Sequence, residues 1–333
     1  MSAPKYSIII PVYNRPDEVR ELLDSLVQQT YKDFEVVIVE DGSQVSSEQV
    51  VNQFSAKLNL RYFAKPNEGP GLTRNYGAEH ASGDYFIFFD SDCLIPSTYM
   101  EIVHDSLGAH WLDAYGGPDA AHESFTSIQK AISYSMTSVL STGGIRGAMI
   151  ETDKFHPRSF NMGFSKAVFR ATSGFSNMRF GEDLDMSMRI KGKGFITGLI
   201  KDAFVYHKRR TDFRKFFKQV HNSGIARINL YKRHPGTLKA VHFAPAFFVL
   251  FIIIGIIGLC FGSWYFAALL LVYFITVFVD SLVQYKSLNV AFLSIVSVLV
   301  QHLGYGTGFI KSFWKRIVLK KPEFVAYKDN FYK

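Results

Sequence analysis

Two long uncharged runs in the C-terminal third most constrain what this chain can fold into. Residues 243–261 form a run of nineteen residues without a charged side chain, and residues 264–279 add sixteen more. Only Gly262 and Ser263 separate the two runs. A helix needs about 20 apolar residues to cross about 30 Å of hydrocarbon, so both runs are close to the spanning length. Two such runs in tandem favour a transmembrane helical hairpin over buried core helices.

The charge distribution indicates a membrane anchor with cytoplasmic flanks. The net charge is +8, but residues 1–200 hold 18 Lys and Arg against 24 Asp and Glu. Residues 201–242 hold 11 basic against 2 acidic side chains, and residues 311–333 hold 7 against 2. Such basic flanks are typical of cytoplasmic loops and attract anionic lipids. A nucleic-acid-binding protein would spread its basic residues over a folded face, so we expect membrane lipids and no nucleic acid as partners.

A third apolar stretch, residues 290–310, can cross the membrane, re-enter it or lie at its surface. If it crosses, the basic residues 311–333 lie opposite the N-terminal domain, against the positive-inside tendency. The sequence allows two or three crossings, and the positive-inside tendency favours an even number. Residues 1–10 contain no long apolar stretch, which predicts no secretory signal. The expected location is the cell inner membrane, as a multi-pass protein with a cytoplasmic catalytic domain.

The first two hundred residues have the pattern of an α/β domain. Short apolar segments predict strands over residues 6–12, 34–39, 60–63 and 85–89. Amphipathic segments between them predict helices that begin at Pro16, near Ser47 and at Leu72. A parallel sheet of this kind binds its ligand at the carboxyl ends of its strands.

Polar residues follow all four predicted strands. They are Tyr13 and Asn14, the run Glu40 to Ser43, the run Lys65 to Asn67, and the run Asp90 to Asp92. Each by itself is explained by a turn or a helix cap. Together they predict a pocket with hydrogen-bond acceptors for a nucleoside and carboxylates for a cation. The sequence lacks a Gly-x-Gly-x-x-Gly after the first strand and a Gly-Lys-Ser/Thr loop, so neither a dinucleotide-binding nor a P-loop domain is indicated.

The Asp90-Ser91-Asp92 sequence offers another way to hold phosphates. Two carboxylates at the end of a buried strand can bind a hard divalent ion that bridges diphosphate oxygens. Such ions prefer carboxylate and phosphate oxygens. The two cysteines, Cys93 and Cys260, lie far apart and do not suggest metal ligands. The sequence therefore predicts a Mg²⁺ or Mn²⁺ site at this strand end.

These motifs together resemble the family 2 glycosyltransferases of the GT-A fold. They are the runs Tyr6 to Asn14, Glu40 to Ser43, Asn67 to Gly69, Thr73 to Asn75, Gly83 to Asp92 and Gly181 to Asp183. The resemblance covers about residues 5–210 and implies an α/β fold, a Rossmann-like nucleotide-binding sheet of GT-A type followed by a C-terminal α-helical membrane region. It implies a membrane-anchored, bacterial-type member.

The implied domain organisation has four parts. Residues 1–210 would be the catalytic domain, with a nucleotide-sugar half at about 1–110 and an acceptor half at about 111–210. Residues 211–242 would be a basic amphipathic interfacial segment, residues 243–310 transmembrane helices and residues 311–333 a basic cytoplasmic tail. Within the acceptor half, residues 129–144 are interpreted either as a mobile lid or as a connecting helix.

The resemblance also implies the site residues. The nucleotide-sugar would contact Pro11, Tyr13, Asn14, Asp41, Asn67, Arg74, Asp90 and Ser91. The metal would be bound by Asp92, with Asp90 and His207. His207 resembles the late histidine of the family near the diphosphate, and the alternative is a surface histidine beside a basic triplet.

Glu182 and Asp183 are the candidate catalytic pair. Transfer of a sugar to a hydroxyl needs a base that takes the acceptor proton, and in the family this pair supplies it. We assign Asp183 as the base and Glu182 as an orienting group, with the reverse also open. The alternative is that both acids only stabilise a helix N-terminus. A single base implies direct displacement with inversion at the sugar carbon.

The predicted function is therefore transfer of a sugar from a nucleotide-sugar, a UDP-sugar, to a hydroxyl of a lipid-linked or cell-surface glycan. One alternative is a sugar nucleotidyltransferase, which would need a Gly-rich loop with a Lys after the first strand. The other is a non-catalytic, membrane-anchored interaction module. The joint presence of Asp90, Asp92, Glu182 and Asp183 argues against that alternative.

Overall fold

The computed structural model describes residues 6–120, 125–142, 156–208 and 210–323. These residues form two compact units. Residues 6–120 and 156–207 belong to the first, and residues 125–142 and 208–323, apart from residue 209, belong to the second. The segment 125–142 thus groups with the C-terminal helices, although the predicted acceptor half contains it. Part of the predicted tail, residues 324–333, lies outside the described residues.

The elements up to residue 207 are strands and helices, which alternate strictly as far as residue 89. In chain order they are β1 (Tyr6–Val12), α1 (Pro16–Val27), β2 (Phe34–Asp41), α2 (Glu48–Asn52), β3 (Leu60–Lys65), α3 (Pro70–His80), β4 (Tyr85–Phe89), β5 (Cys93–Leu94), α4 (Tyr99–Ala109), β6 (Ala114–Gly116), β7 (Asp119–Ala120), α5 (Ser127–Thr137), α6 (Val139–Thr142), β8 (Asn161–Ser165), α7 (Lys166–Thr172), α8 (Glu182–Gly192), β9 (Thr197–Leu199) and β10 (Val205–His207). Helices α5 and α6 belong to the second unit.

The first unit is built on a seven-stranded sheet with the order β3-β2-β1-β4-β8-β6-β9. Strands β3, β2, β1 and β4 are parallel, as predicted, so their carboxyl ends share one edge. Strand β8 is antiparallel to both of its neighbours. A smaller sheet has the order β5-β10-β7. The predicted α/β class is confirmed, and the site residues after β1, β2 and β4 lie at the same edge.

Burial of apolar side chains explains the predicted elements. Every residue of β4 is buried, and α1 buries Val19, Leu22, Leu23 and Leu26 at the spacing of one helix face. Helix α2 ends at Asn52, before the end of the helix predicted over about residues 47–58. The backbone N–H groups of Gln53, Phe54 and Ser55 bond to carbonyls three residues back and form turns.

The second unit consists of α5 and α6 with the C-terminal helices. These are α9 (Phe213–Arg233), a 3₁₀ turn (Ala240–Phe243), α10 (Ala244–Cys260), α11 (Tyr265–Tyr285), α12 (Leu288–Phe313) and a π-helical turn (Trp314–Val318). Helices α9 and α12 approach at backbone distance, since a Cβ on Gly308 would lie 2.0 Å from the carbonyl oxygen of His221. Most of the predicted basic segment, residues 211–242, is helix α9, which buries Phe216 and Val220.

The segment interpreted as a lid or a connecting helix is helical from Ser127 to Thr142 with a break at Ser138. Polar contacts fix helix α5 to α11 and α12, two of the apolar C-terminal helices. The Tyr134 hydroxyl donates to Asp280 Oδ2 at 2.6 Å, and the hydroxyls of Ser135 and Ser297 are 2.8 Å apart. These contacts favour the connecting-helix interpretation for residues 127–142, while Gly143 and Gly144 lie outside the described part of the chain.

Among the residues that the structure describes, three helical stretches are long and apolar enough to cross a membrane: Ala240–Cys260, Tyr265–Tyr285 and Leu288–Val318. In the first two, many large apolar side chains have little protein cover, such as Phe247, which is 64% exposed. We expect full-length protein to stay in membranes washed with alkaline carbonate, because this exposed surface is stable only in lipid. Immunoblots of the pellet and supernatant test this. Leu269→Lys should weaken retention and Leu269→Ala should not, and release of the wild type would contradict a membrane anchor.

Candidate active site

The loops after β1 and β2 are fixed to each other at the edge of the sheet. The Asn14 side-chain oxygen accepts hydrogen bonds from the backbone N–H of Gln44 at 2.7 Å and of Val45 at 3.0 Å. The Asn14 backbone N–H donates to Ser43 Oγ at 2.8 Å. Asn14 has a φ of 54°, which Asn tolerates better than most residues. Asn14 therefore holds two loops of the predicted nucleoside pocket together.

Asp41 organises the turn that contains Asn67. Its carboxylate accepts from the backbone N–H groups of Glu68 and Gly69, each at 2.9 Å, from Lys65 Nζ at 3.1 Å and from Asn67 Nδ2 at 3.2 Å. A Cβ on Gly42, whose φ is 71°, would lie 2.7 Å from the backbone nitrogen of Asn67. This close approach requires glycine. The structure thus brings Asp41 and Asn67 together, as the sequence predicts.

Asp92 lies in a buried cluster of polar groups at the end of β4. Its Oδ2 is 2.5 Å from Arg15 Nη1, and its Oδ1 is 3.1 Å from His207 Nε2. His207 reaches Asp92 because β10 pairs antiparallel with β5, with His207 opposite Cys93. Burial alone would raise the pKa of Asp92, but His207 and Arg15 hold it well below its usual range. Asp92 is therefore an ionised, acceptor-only group.

The residues around Asp92 fit a divalent ion. Ligand atoms of Asp92, Cys93 and His207 lie within 4.8 Å of one another. Burial raises the pKa of the Cys93 thiol well above its usual value, so this sulfur stays protonated and is a poor ligand. A carboxylate and an imidazole remain as suitable donors. Asp90, the third predicted ligand, instead contacts Arg74.

Arg74 connects the predicted donor site to the predicted catalytic pair. Its side chain is 3% exposed, with Nη2 2.6 Å from Asp90 Oδ1 and Nη1 3.2 Å from Glu182 Oε1. The three residues are far apart in sequence and come from α3, the end of β4 and the start of α8. A single guanidinium therefore sets the spacing between the Asp90 and Glu182 carboxylates.

Glu182 and Asp183 have opposite electrostatic environments. Burial raises the pKa of Glu182 to about 7, and the neighbouring Asp183 carboxylate acts in the same direction. Burial would also raise the pKa of Asp183, but Arg158 Nε, 2.6 Å from Asp183 Oδ2, holds it below its usual value. The backbone N–H of Leu184 donates to Asp183 Oδ1 at 2.8 Å. Asp183 is therefore ionised at neutral pH, whereas Glu182 titrates there.

The remaining predicted residues lie at the same sheet edge. Pro11 is the penultimate residue of β1, and Tyr13 follows that strand; both are half-buried. Ser91 is buried between the two aspartates. Sequence reasoning missed Arg15 and Arg158 as site residues. Arg158 precedes β8 without any local motif, and Arg15 lies in the short loop between β1 and α1.

The Arg158–Asp183 ion pair predicts a pH effect. Because Arg158 lowers the pKa of Asp183, we expect Arg158→Gln to raise that pKa and to move the acidic limb of the kcat/KM profile to higher pH. The profile would be measured beside Arg170→Gln, a control on the exposed face of α7. An acidic limb unchanged from wild type would contradict a role for Asp183 as the base.

The sheet topology and its acidic residues define an enzyme of the GT-A type. One pair of acids, Asp90 and Asp92, follows a strand of the nucleotide-binding sheet, and a second pair, Glu182 and Asp183, begins helix α8. The glycosyl transferase family 2 model matches residues 7–175, about half of the chain, and the glycosyl transferase family group 2 model matches residues 122–279. The chain belongs to glycosyl transferase family 2. The predicted family is thereby confirmed.

Known proteins are similar over different parts of the chain. An uncharacterized glycosyltransferase of Rickettsia felis is 32% identical over 200 residues, which cover 60% of this chain and 32% of that protein. The chain thus spans about a third of the length of that relative.

Solved structures share the fold at low sequence identity. The mannosyltransferase PcManGT of Pyrobaculum calidifontis, in complex with GDP-Man and Mn²⁺, aligns with a TM-score of 0.66 and 17% identity over 95% of this chain and 89% of that chain. S. aureus TarS 1-349 in complex with UDP-GlcNAc aligns with a TM-score of 0.50 and 17% identity over 98% and 97%. Their likeness confirms the GT-A fold.

Proposed function

We propose that this chain is a membrane-bound, inverting glycosyltransferase that moves a sugar from a nucleotide-sugar to a hydroxyl of a lipid-linked or cell-surface glycan. We propose a UDP-sugar as the donor. Divalent metal dependence, through Mg²⁺ or Mn²⁺, is part of the proposal. The catalytic unit would lie on the cytoplasmic side of the cell inner membrane, anchored by an even number of crossings.

The observation that carries the proposal is the position of Arg74 between Asp90 and Glu182. Asp90 belongs to the strand end where phosphates and a cation are expected, and Glu182 is adjacent to the proposed base. A transferase needs these two sets of groups close together, since the bond to the leaving group breaks at the carbon that the acceptor attacks. An interaction module has no such requirement.

The site provides a base for the acceptor hydroxyl and a cation that keeps this base ionised. The acceptor hydroxyl oxygen attacks the anomeric carbon, its bond to the sugar forms, and the bond from that carbon to the diphosphate oxygen breaks. Asp183 takes the hydroxyl proton, and Arg158 keeps the Asp183 carboxylate in the ionised form that can accept it. The leaving nucleoside diphosphate carries away the electron pair. Attack and departure on opposite faces give inversion.

Asp92 and His207 would hold the divalent ion. When bound, such an ion supplies charge neutralisation for the departing diphosphate. Asp41 and Asn67 support the nucleoside side of the pocket through the turn that they form. Glu182 positions Arg74 and orients the acceptor.

The test is a donor panel on the full-length protein in detergent. Two solved structures with a similar fold are complexes with GDP-Man and with UDP-GlcNAc. The panel should therefore include UDP-, GDP-, dTDP- and CMP-sugars. Membrane lipid extract serves as the acceptor source, with Mg²⁺, Mn²⁺ or excess chelator. We expect a labelled sugar to enter the lipid fraction from one nucleotide class, with release of the nucleoside diphosphate. Transfer by the double variant Asp92→Ala, Asp183→Asn at the wild-type rate would contradict the site. No transfer from any donor would contradict the function.

A further inference from the structure

Arg15 contacts the carboxylate that we propose as the metal ligand. Its Nη1 lies 2.5 Å from Asp92 Oδ2, while the other carboxylate oxygen faces His207 at 3.1 Å. Both oxygens of Asp92 thus have a nitrogen partner in the protein. A carboxylate can accept more than two partners, but a divalent ion on Asp92 would lie close to the Arg15 guanidinium, and the two positive charges would repel each other.

The backbone of Arg15 is fixed, but its side chain is able to move. Asn14 is held by the loop after β2, and Pro16 begins α1 on the other side. The Arg15 side chain is 32% exposed, and within the described part of the chain its ion pair is with Asp92. A long side chain on a fixed backbone can exchange one partner for another nearby without a change in the fold.

The other two arginines of the site are held by the catalytic pair and its neighbours. Arg74 is buried between Asp90 and Glu182, and Arg158 is bound to Asp183. If either turned to a diphosphate, it would leave a buried carboxylate without its partner, which is costly. Arg15 differs, because a metal ion would replace it at Asp92.

We propose that Arg15 exchanges partners when the donor binds, releasing Asp92 to the divalent ion and binding the diphosphate of the nucleotide-sugar. This inference rests on the proposed function, since it requires a metal and a nucleoside diphosphate. A guanidinium binds two phosphate oxygens in parallel, a geometry that suits a diphosphate. Arg15 is thereby a specificity-determining residue for diphosphates.

The exchange couples two binding events. A metal ion alone must compete with the positive charge of Arg15 for the Asp92 carboxylate, whereas with a diphosphate present Arg15 gains a new partner. Metal and nucleoside diphosphate therefore bind with positive cooperativity, and the effect is reciprocal. Without Arg15, a metal ion should bind more tightly by itself and gain less from the nucleotide.

The experiment measures Mn²⁺ binding by electron paramagnetic resonance on the full-length protein in detergent. Each titration is made alone, with UDP or GDP, and with the matching monophosphate. In the wild type, the diphosphate should raise Mn²⁺ affinity on the order of 5- to 150-fold. Arg15→Ala should bind Mn²⁺ alone more tightly than wild type and lose most of that enhancement. Its affinity for the diphosphate in Mn²⁺ should fall about 10- to 100-fold, with a smaller loss for the monophosphate.

Arg20→Ala is the matched control. Arg20 lies on α1, the helix that follows Arg15, and its side chain donates a hydrogen bond to Gln53, away from Asp92. It should behave as wild type in every titration. If Arg15→Ala does not fold, as judged by its thermal unfolding, Arg15→Gln removes the charge with a smaller change in volume and takes its place.

The outcomes separate this inference from the proposed function. Wild-type coupling in the Arg15 variant would overturn the partner exchange, and equal losses for diphosphate and monophosphate would overturn the diphosphate contact. In both cases the proposed function would stand. If the wild type bound neither Mn²⁺ nor any nucleotide, both the inference and the proposed function would be wrong.

Discussion

Replacing Asp183 with Asn is expected to lower the rate of sugar transfer by about 10²–10⁴-fold, because an amide cannot take the acceptor proton. Asn keeps a side-chain oxygen for the Leu184 N–H, and loss of one negative charge from the first turn of α8 should cost only about 0.3–1 kcal/mol, so the helix should stay folded. Donor affinity should remain close to wild type, since Asp183 contacts Arg158 and the backbone of its own helix. The measurement is the transfer rate with saturating donor, beside donor binding.

Two companion variants make this result specific. Glu182→Gln tests the reverse assignment, and a large loss there with near-normal transfer by Asp183→Asn would move the base to Glu182. Asp185→Asn is the matched control, because Asp185 is a buried acid of the same helix that pairs with Arg189 at 2.8 Å. It should keep most of the activity. Near-normal transfer by both Asp183→Asn and Glu182→Gln would exclude the pair from the mechanism.

Asp92→Ala is expected to lower turnover by roughly 10³-fold or more. A bound ion supplies several kcal/mol of charge stabilisation, and each 1.36 kcal/mol is a factor of ten in rate. The variant should still fold, because the Arg15 side chain, which loses its partner, is 32% exposed and can turn to water. Asp84→Ala is the control, since Asp84 is exposed at the opposite end of the same strand.

Excess chelator should reproduce the loss in the wild type, and added Mn²⁺ or Mg²⁺ should restore activity. The Asp92→Ala variant should not respond to added metal. Full wild-type turnover in chelator would contradict the metal role, while leaving the assignment of Asp183 as the base untouched.

The sequence alone determined the elements and their chemistry where the information is local. Short apolar segments predicted β1 and β4, the spacing of Val19, Leu22, Leu23 and Leu26 predicted α1, and uncharged runs predicted α10 and α11. Polar residues just beyond the strand ends predicted where a ligand would bind, because parallel strands bring their carboxyl ends to one edge. These features depend on residues within one or two turns of each other.

Only the tertiary structure decided which charges meet. Arg15 reaches Asp92 across 77 positions, Arg74 reaches Glu182 across 108, and Arg158 reaches Asp183 from a loop without a motif. Whether His207 lies at the site was open in the sequence, and the pairing of β10 with β5 places it beside Asp92. The physical reason is that ion pairing depends on distance in space, and for residues this far apart distance is set by sheet order and loop path, which no local pattern encodes.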